Sequence, residues 1–235
     1  MDFNWPYLAR TFLLCLRAIP VTLEITLVSL LLALLPALLI ALCRLHKVRV
    51  LDFLCRVFVS FIRGTPIVLQ ILIVYSLCPS LLNAFVKGLG LSVNVFDINP
   101  IIYAFTVFGI NSTAVLSECF RSAIASVDKG QMEAALSVGE SPVRAFLRII
   151  LPQAAVSALP NLCTLTIILI KNTSLAFMMT VREITGVAKI QAAYGYNYVE
   201  SYIDIFVIYI AVCLAVELVF RRIERRVVFS GVRRA

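Results

Sequence analysis

The chain has 235 residues, 61% of them hydrophobic and only 14% charged, with a mean hydropathy of +0.99 and a formal net charge of +8. Soluble domains carry about a quarter charged residues, which excludes a water-soluble enzyme or binding module as the main body. Five or six spans of about 20 residues each use most of the length, so residues 1–235 read as a single, all-α membrane domain.

Residues 1–20 lack the compact basic stretch and small-residue cleavage site of a signal peptide, and Asp2, Arg10 and Arg17 interrupt them. They read as an uncleaved amphipathic segment at the outer interface, with Trp5 and Tyr7 at headgroup depth. The first apolar run, 21–42, measures about 33 Å as a helix, and Pro36 predicts a bend in it. The second lies within 58–77. The third, 101–119, carries Asn111, Ser112, Thr113, Ser117 and Glu118 in its second half. Asn111, Ser112 and Thr113 either line a pathway or hydrogen-bond between helices. Glu118 and Arg121 stand at i,i+3 and predict a pair. The fourth run, 159–179, holds Lys171 about 18 Å from its start. That depth argues against simple snorkelling: Lys171 either faces a substrate carboxylate or neutralises a carboxylate of the bundle. The fifth run is 202–220. Arg63, before Gly64, Thr65 and Pro66, reads as an interfacial arginine at the head of the second span.

Five spans put the two ends of the chain on opposite sides. One set of loops holds Arg44, Lys47, Arg49, Arg56, Arg121, Lys129, Arg144 and Arg148, and the tail adds six arginines from Arg221 to Arg234. The other set, with modest outer loops over 79–100 and 180–201, holds Arg10, Arg17, Lys87, Arg182 and Lys189. The excess predicts a cytoplasmic C-terminus and an external N-terminus. It also accounts for the positive charge without nucleic acid. The seven cysteines include no Cys-x-x-Cys pair and read as small buried hydrophobes, with neither a disulfide framework nor a metal site.

The longest internal cytoplasmic loop is 128–153. Asp128 and Gln131 predict a capping box that opens a helix over 131–138, and Gly139 supplies a left-handed stop. Ser141 and Pro142 start a second helix as N-cap and N1, which Pro152 ends or bends. Glu133, Ala134 and Ala135 give the first helix a small-residue face for a partner. The spacing alone fits equally well an amphipathic connector lying on the membrane.

Glu133-Ala134-Ala135, Gly139 and the Leu151-Pro152 end stand at the spacing of the EAA loop, and the chain resembles the permease subunits of ABC importers. Arg63-Gly64-Thr65-Pro66 with Gln70 is similar to the R-G-T-P-x-x-x-Q element of the polar amino acid uptake branch. Glu118 with Arg121, Lys171-Asn172-Thr173-Ser174-Leu175 and Glu224-Arg225 resemble three further elements of it, in order along nearly the whole chain. The resemblance implies a type I importer transmembrane domain. Glu133, Ala134, Ala135, Gly139, Leu151 and Pro152 would then form the ATPase-coupling loop, and Lys171, Asn111, Thr113, Ser174 and Gln70 would be the candidate substrate pathway. Arg63, Glu118 and Arg121 would be structural. It further implies an ABC ATPase dimer that binds ATP and Mg, with no cofactor on this chain, an extracytoplasmic solute-binding protein and a second permease chain, like or unlike. The place would be a bacterial cytoplasmic membrane, and the substrate a polar amino acid, cystine or a relative by the loop's wording. An ion-coupled secondary transporter or channel is the alternative, though it predicts inverted repeats that five unlike spans do not offer. No catalytic motif, P-loop included, is present.

Overall fold

The computed structural model describes residues 3–91 and 94–232, the side chains of 228–232 excepted. Asp2, Arg233 and Arg234 lie outside the described residues. Five helical stretches are long and apolar enough to cross a membrane, and among the described residues everything between them is helix, 3-10 turn or short loop.

Helix α1 (Trp5–Leu16) and helix α2 (Ile19–Leu45) follow one another with only a two-residue break. Helix α2 runs unbroken through Pro36, which is exposed on the outside of the chain. Its buried face is a stripe of Thr22, Thr26, Ser29, Ala33, Ala37 and Ala41. Small residues at this spacing let a second backbone come close. Helix α5 (Pro100–Ala125) uses the opening, and α2 against α5 is the most extensive packing in the fold. Between them a Cβ built on Gly109 would sit 3.8 Å from Leu32 Cβ.

The second span does not lie within 58–77. Helix α3 (Arg49–Gly64) ends at Thr65, which is extended at φ −108°, and helix α4 (Ile67–Gly88) begins after Pro66. The proline ring disfavours helical backbone at the residue before it, so the chain must turn there. Residues 58–63 therefore belong to an amphipathic helix with Arg49, Asp52, Arg56 and Arg63 on one side, and the span is α4. Helix α4 also passes through Pro79, where the sequence predicted a loop.

Helix α6 (Lys129–Ser137) follows α5. After it, helix α7 (Pro142–Ala145), a π-turn Phe146–Ile150 and helix α8 (Leu151–Thr173) form one helical run that a 3-10 turn, Ser174–Met179, extends. Pro152 thus neither ends nor isolates a second short helix. It has no N–H for the Arg148 carbonyl, and the π-turn takes up the mismatch just before it: the Leu151 N–H bonds back to the Phe146 carbonyl. Such single π-turns relieve a locally broken ladder without stopping the helix.

The stretch 180–201, expected as a loop, contains helix α9 (Ile184–Gly195). Ile184, Gly186, Ala188 and Ala192 are buried, and Cys15 of α1 points its thiol at the Ile184 carbonyl, 3.8 Å away. Helix α10 (Tyr198–Val232) closes the bundle against α8, α9 and α1. The α1–α10 contact is tied by the Asn4 N–H to Glu200 Oε1 (2.9 Å) and by Tyr7 to Ser201, hydroxyl to hydroxyl (2.7 Å).

Candidate functional site

The 128–153 loop stands at the end of the bundle where α5 finishes and α8 starts. Asp128 caps α6 by accepting the Gly130 N–H at 2.6 Å. The reciprocal bond from the Gln131 side chain does not form among the described residues, so the cap is one-sided. At the other end the Glu140 N–H reaches the Ala135 carbonyl and the Gly139 N–H reaches the Leu136 carbonyl, both at 3.1 Å. These two bonds are the Schellman pair, and they require the left-handed Gly139, φ +86°. Ser141 then caps the next run, accepting the Arg144 N–H at 3.4 Å ahead of Pro142.

Ala135 and Ala145 are buried where α6 meets α7. Glu133 and Ala134 are exposed, and so are Leu136, Val138 and Val143, the last two 81% and 67%. A capped helix with a small, partly apolar outer face therefore projects from the bundle. Leu151 is half-buried and Pro152 exposed.

Above the loop the charged residues are paired. Glu118 accepts from Arg121 Nε and Nη2 at 3.0 and 2.9 Å, and its other oxygen accepts from Arg44 of α2. The arginine contributed across 74 residues of sequence has no local signature. Arg63 is exposed and has no ion pair among the described residues.

The five pathway residues do not converge. Gln70 and Asn111 do meet: Gln70 Nε2 donates to the Ile62 carbonyl (2.8 Å), the Thr65 hydroxyl (2.9 Å) and the Thr65 carbonyl (3.2 Å), while Gln70 Oε1 accepts from Asn111 Nδ2 (3.2 Å). Gln70 thereby satisfies carbonyls left open by the α3–α4 break, one reason for a glutamine four residues after the proline. Thr113 is buried and bonds its own helix at the Gly109 carbonyl, 2.8 Å. Asn111 and Asn172 share a cavity of about 30 Å³, roughly one water's share of liquid volume. Lys171, adjacent to Asn172 in sequence, points the other way. It is exposed in grooves between α8 and α10, one walled by Tyr202, Phe206 and Tyr209 and one shared with Glu217 and Glu224, and it makes no ion pair among the described residues. Ser174 is half-buried at the end of α8.

Glu183 escaped the sequence reading. It is wholly buried at the N-cap of α9, accepting the Thr185 N–H (2.8 Å), the Gly186 N–H (2.7 Å) and the Tyr209 hydroxyl (2.9 Å). Burial pushes its carboxyl up to about 7 against the downward pull of those three donors. Gly186 has to be glycine here: a Cβ would lie 2.5 Å from the Val181 carbonyl oxygen. An acidic residue directly before a run of small and apolar residues was the available signal.

Residues 29–229 match the family described as "Binding-protein-dependent transport system inner membrane component". Among curated proteins, the chain is 37% identical over 209 residues to the L-cystine transport system permease protein TcyL of Bacillus subtilis (strain 168), covering 89% of this chain and 85% of that protein. It is 32% identical over 227 residues to the octopine transport system permease protein OccM of Rhizobium radiobacter, covering 95% and 90%. Among solved structures, an amino acid ABC transporter crystallised with histidines superposes with a TM-score of 0.80 at 26% identity, over 96% of this chain and all of that one. The inward-facing MetNI methionine ABC transporter shares the fold, with a TM-score of 0.68 at 16% identity over 91% and 95%. The chain belongs to the binding-protein-dependent inner membrane components, as a permease subunit of the ABC importers of polar amino acid uptake.

Proposed function

We propose that this permease admits L-cystine or a closely related amino acid, handed over by an extracytoplasmic binding protein, and that the 128–153 loop is its seat on the ATPase. The observation carrying the second half is α6 itself, capped at both ends and projecting with Glu133 and Ala134 outward. A membrane-surface connector has no need of a Schellman stop that holds the helix end in one geometry. Two relatives described as L-cystine permeases, TcyL and TcyB of Bacillus subtilis at 37% and 35% identity, support the substrate. The basic residues at the loop end support a cytoplasmic C-terminus and an external N-terminus, with residues 1–20 at the outer face.

Within the membrane we assign Lys171 to the substrate path. An exposed ammonium without an ion pair, deep in an apolar run, is costly unless a ligand or a partner chain meets it. A second permease chain packed on the α8–α10 side would enclose it. Gln70, Asn111, Thr113 and Ser174 do not reach the Lys171 grooves, and we assign them a supporting role, with the Gln70–Asn111 bond fixing α4 against α5.

The test is uptake of radiolabelled L-cystine into proteoliposomes holding the permease, its ATPase and its binding protein. Uptake that needs ATP inside and binding protein outside supports the reading. Uptake of other polar amino acids with none of cystine overturns the substrate, and retention of the ATPase by a permease whose 128–153 loop is replaced by a glycine–serine linker overturns the seat.

A further inference from the structure

At the end of the bundle opposite the 128–153 loop, α4, α5 and the 3-10 turn Val95–Asp97 wall a cavity of about 430 Å³. That lies within the ~300–1,000 Å³ of small-molecule sites. It is separate from the Lys171 grooves, and none of the pathway residues lines it. Two tyrosines form its back. Tyr75 and Tyr103 meet edge to face, centroids 5.9 Å apart, and the Tyr75 hydroxyl is held by Thr180 Oγ1 at 3.3 Å. Tyr103 is 6% exposed, and its hydroxyl is buried with no hydrogen-bond partner among the described residues. Leaving such a group unpaired is destabilising, and packing alone would be served better by phenylalanine. The hydroxyl itself is closed off from the cavity, so it is the ring of Tyr103 and not its O–H that forms the wall.

The rest of the wall sets the charge of that visitor. Among the described residues, Asp97 is the only ionisable acid or base lining the cavity apart from the two tyrosines, no lysine or arginine lines it, and Asn94 Nδ2 fixes the Asp97 carboxylate at 2.8 Å. The N-terminus of α5 opens here, yet it offers no spare donor to an anion. Pro100 has no N–H, and the Ile101 N–H is taken by Asn99 Oδ1 at 3.0 Å. One carboxylate beside aromatic rings, with no cation, selects a cation, and an ammonium over a tyrosine face is attracted by the ring as well.

We propose that this cavity is an outer binding site for the ammonium end of the transported amino acid. Asp97 accepts from the ammonium, and the rings of Tyr75 and Tyr103 flank it. The site rests on the reading of the chain as an amino acid importer with this end outside, and it places a stop between the binding protein and the membrane interior.

The test uses the permease–ATPase complex in nanodiscs, without nucleotide or binding protein, and empty nanodiscs as baseline. Three probes are titrated by calorimetry: L-cystine, cystamine (the same disulfide with ammonium groups and no carboxylates) and 3,3′-dithiodipropionate (carboxylates and no ammonium). L-cystine and cystamine bind and compete, and dithiodipropionate does not. Asp97→Asn weakens cystamine about tenfold, the worth of one charge-assisted hydrogen bond. Tyr103→Phe, which keeps the ring and removes only a hydroxyl closed off from the cavity, leaves L-cystine binding unchanged. Leu81→Ala, an exposed change on α4 outside the cavity wall, leaves cystamine binding unchanged. The proposal is overturned if dithiodipropionate binds as well as cystamine, if cystamine does not bind the parent, or if Asp97→Asn binds it like the parent. Failure of the importer reading would show elsewhere, as absence of ATP-driven uptake by the parent, whatever the titrations give.

Discussion

Replacing Gly139 tests whether the shape of the 128–153 loop matters or only its presence. A Cβ at Gly139 would meet nothing within 4 Å, so substitution carries no clash and the whole cost is conformational. The residue sits at φ +86°, where alanine costs about 1 kcal/mol and a β-branched residue up to about 3 kcal/mol. Against this stand the two Schellman bonds, at about 1 kcal/mol each net. With alanine about 1 kcal/mol remains, and roughly 85% of chains keep the motif. With valine nothing remains, and half of the chains or fewer, down to about 15%, keep it. A partner that binds only the ordered loop then loses apparent affinity by the same fraction. The expected loss is about 1.2-fold for Gly139→Ala and about two- to sixfold for Gly139→Val. Membrane insertion is unchanged, because the spans are packed through α2, α5, α8 and α10 and not through this turn. The assay titrates purified ATPase against each variant in nanodiscs, with binding-protein-stimulated ATP hydrolysis as second readout. A valine variant equal to the parent in both would refute the coupling role. Alanine as damaging as valine would refute the strain reasoning, since the smallest Cβ has room.

Lys171→Ala lowers substrate uptake severely at normal insertion and normal ATPase binding; uptake equal to the parent removes it from the path. Gln70→Ala strips the carbonyls of Ile62 and Thr65 of their donor and frees Asn111, which costs about 1–3 kcal/mol; the purified protein melts lower, whereas a melt equal to the parent would show that water replaces the amide without loss. Glu183 makes stability depend on pH. Its carboxyl is raised to about 7 in the folded chain from 4.5, so its stabilising contribution is complete below about 4.5 and lost as pH rises through 7. The melting temperature in detergent falls between pH 5 and pH 8 in the parent, and Glu183→Gln flattens that part of the profile; an equal fall in both rules Glu183 out as the source.

What the sequence made legible was whatever depends on residues close along the chain. Long apolar runs identified five spans, and Asp128, Gly139, Ser141 and Pro142 marked both ends of the first loop helix and the start of the second to within two residues, because caps and stops are local chemistry, while the second helix runs on past Pro152 into α8. The α3–α4 break hides in the sequence because apolar content runs on across Pro66, and only the side of residues 49–64 that carries the arginines sets the two helices apart. Helix α9 hides because its buried face is built from Gly186, Ala188 and Ala192, which fit a tight space and register weakly as hydrophobic. Pairings such as Arg44 with Glu118 and Gln70 with Asn111 need the fold before they exist. The candidate site was legible in the same proportion: the loop was, and the Tyr75–Tyr103–Asp97 cavity and the Glu183 corner were not.

The π-turn changes what the loop is mechanically. Had Pro152 ended a separate helix, force on α6 would cross a flexible joint before reaching any span. Instead the run from Pro142 to Met179 is continuous, and Pro142 lies about 43 Å along it from Lys171 at 1.5 Å per residue. The break between α6 and that helical run is the turn at 138–141, where Gly139 holds α6 to α7 with Ala135 and Ala145 buried beneath. The Glu140–Arg148 pair across the same turn, at 3.9 Å with Arg148 largely exposed, adds little stiffness, since exposed ion pairs contribute about 0–1 kcal/mol. In the proposed coupling, then, α6 can swivel by a small amount on its seat, whereas any axial push or tilt passes undamped into α8 and to the residues at its far end. That division explains why a glycine, the least constrained residue, is fixed in a single conformation at this turn: the joint has to bend in one direction and resist in the others.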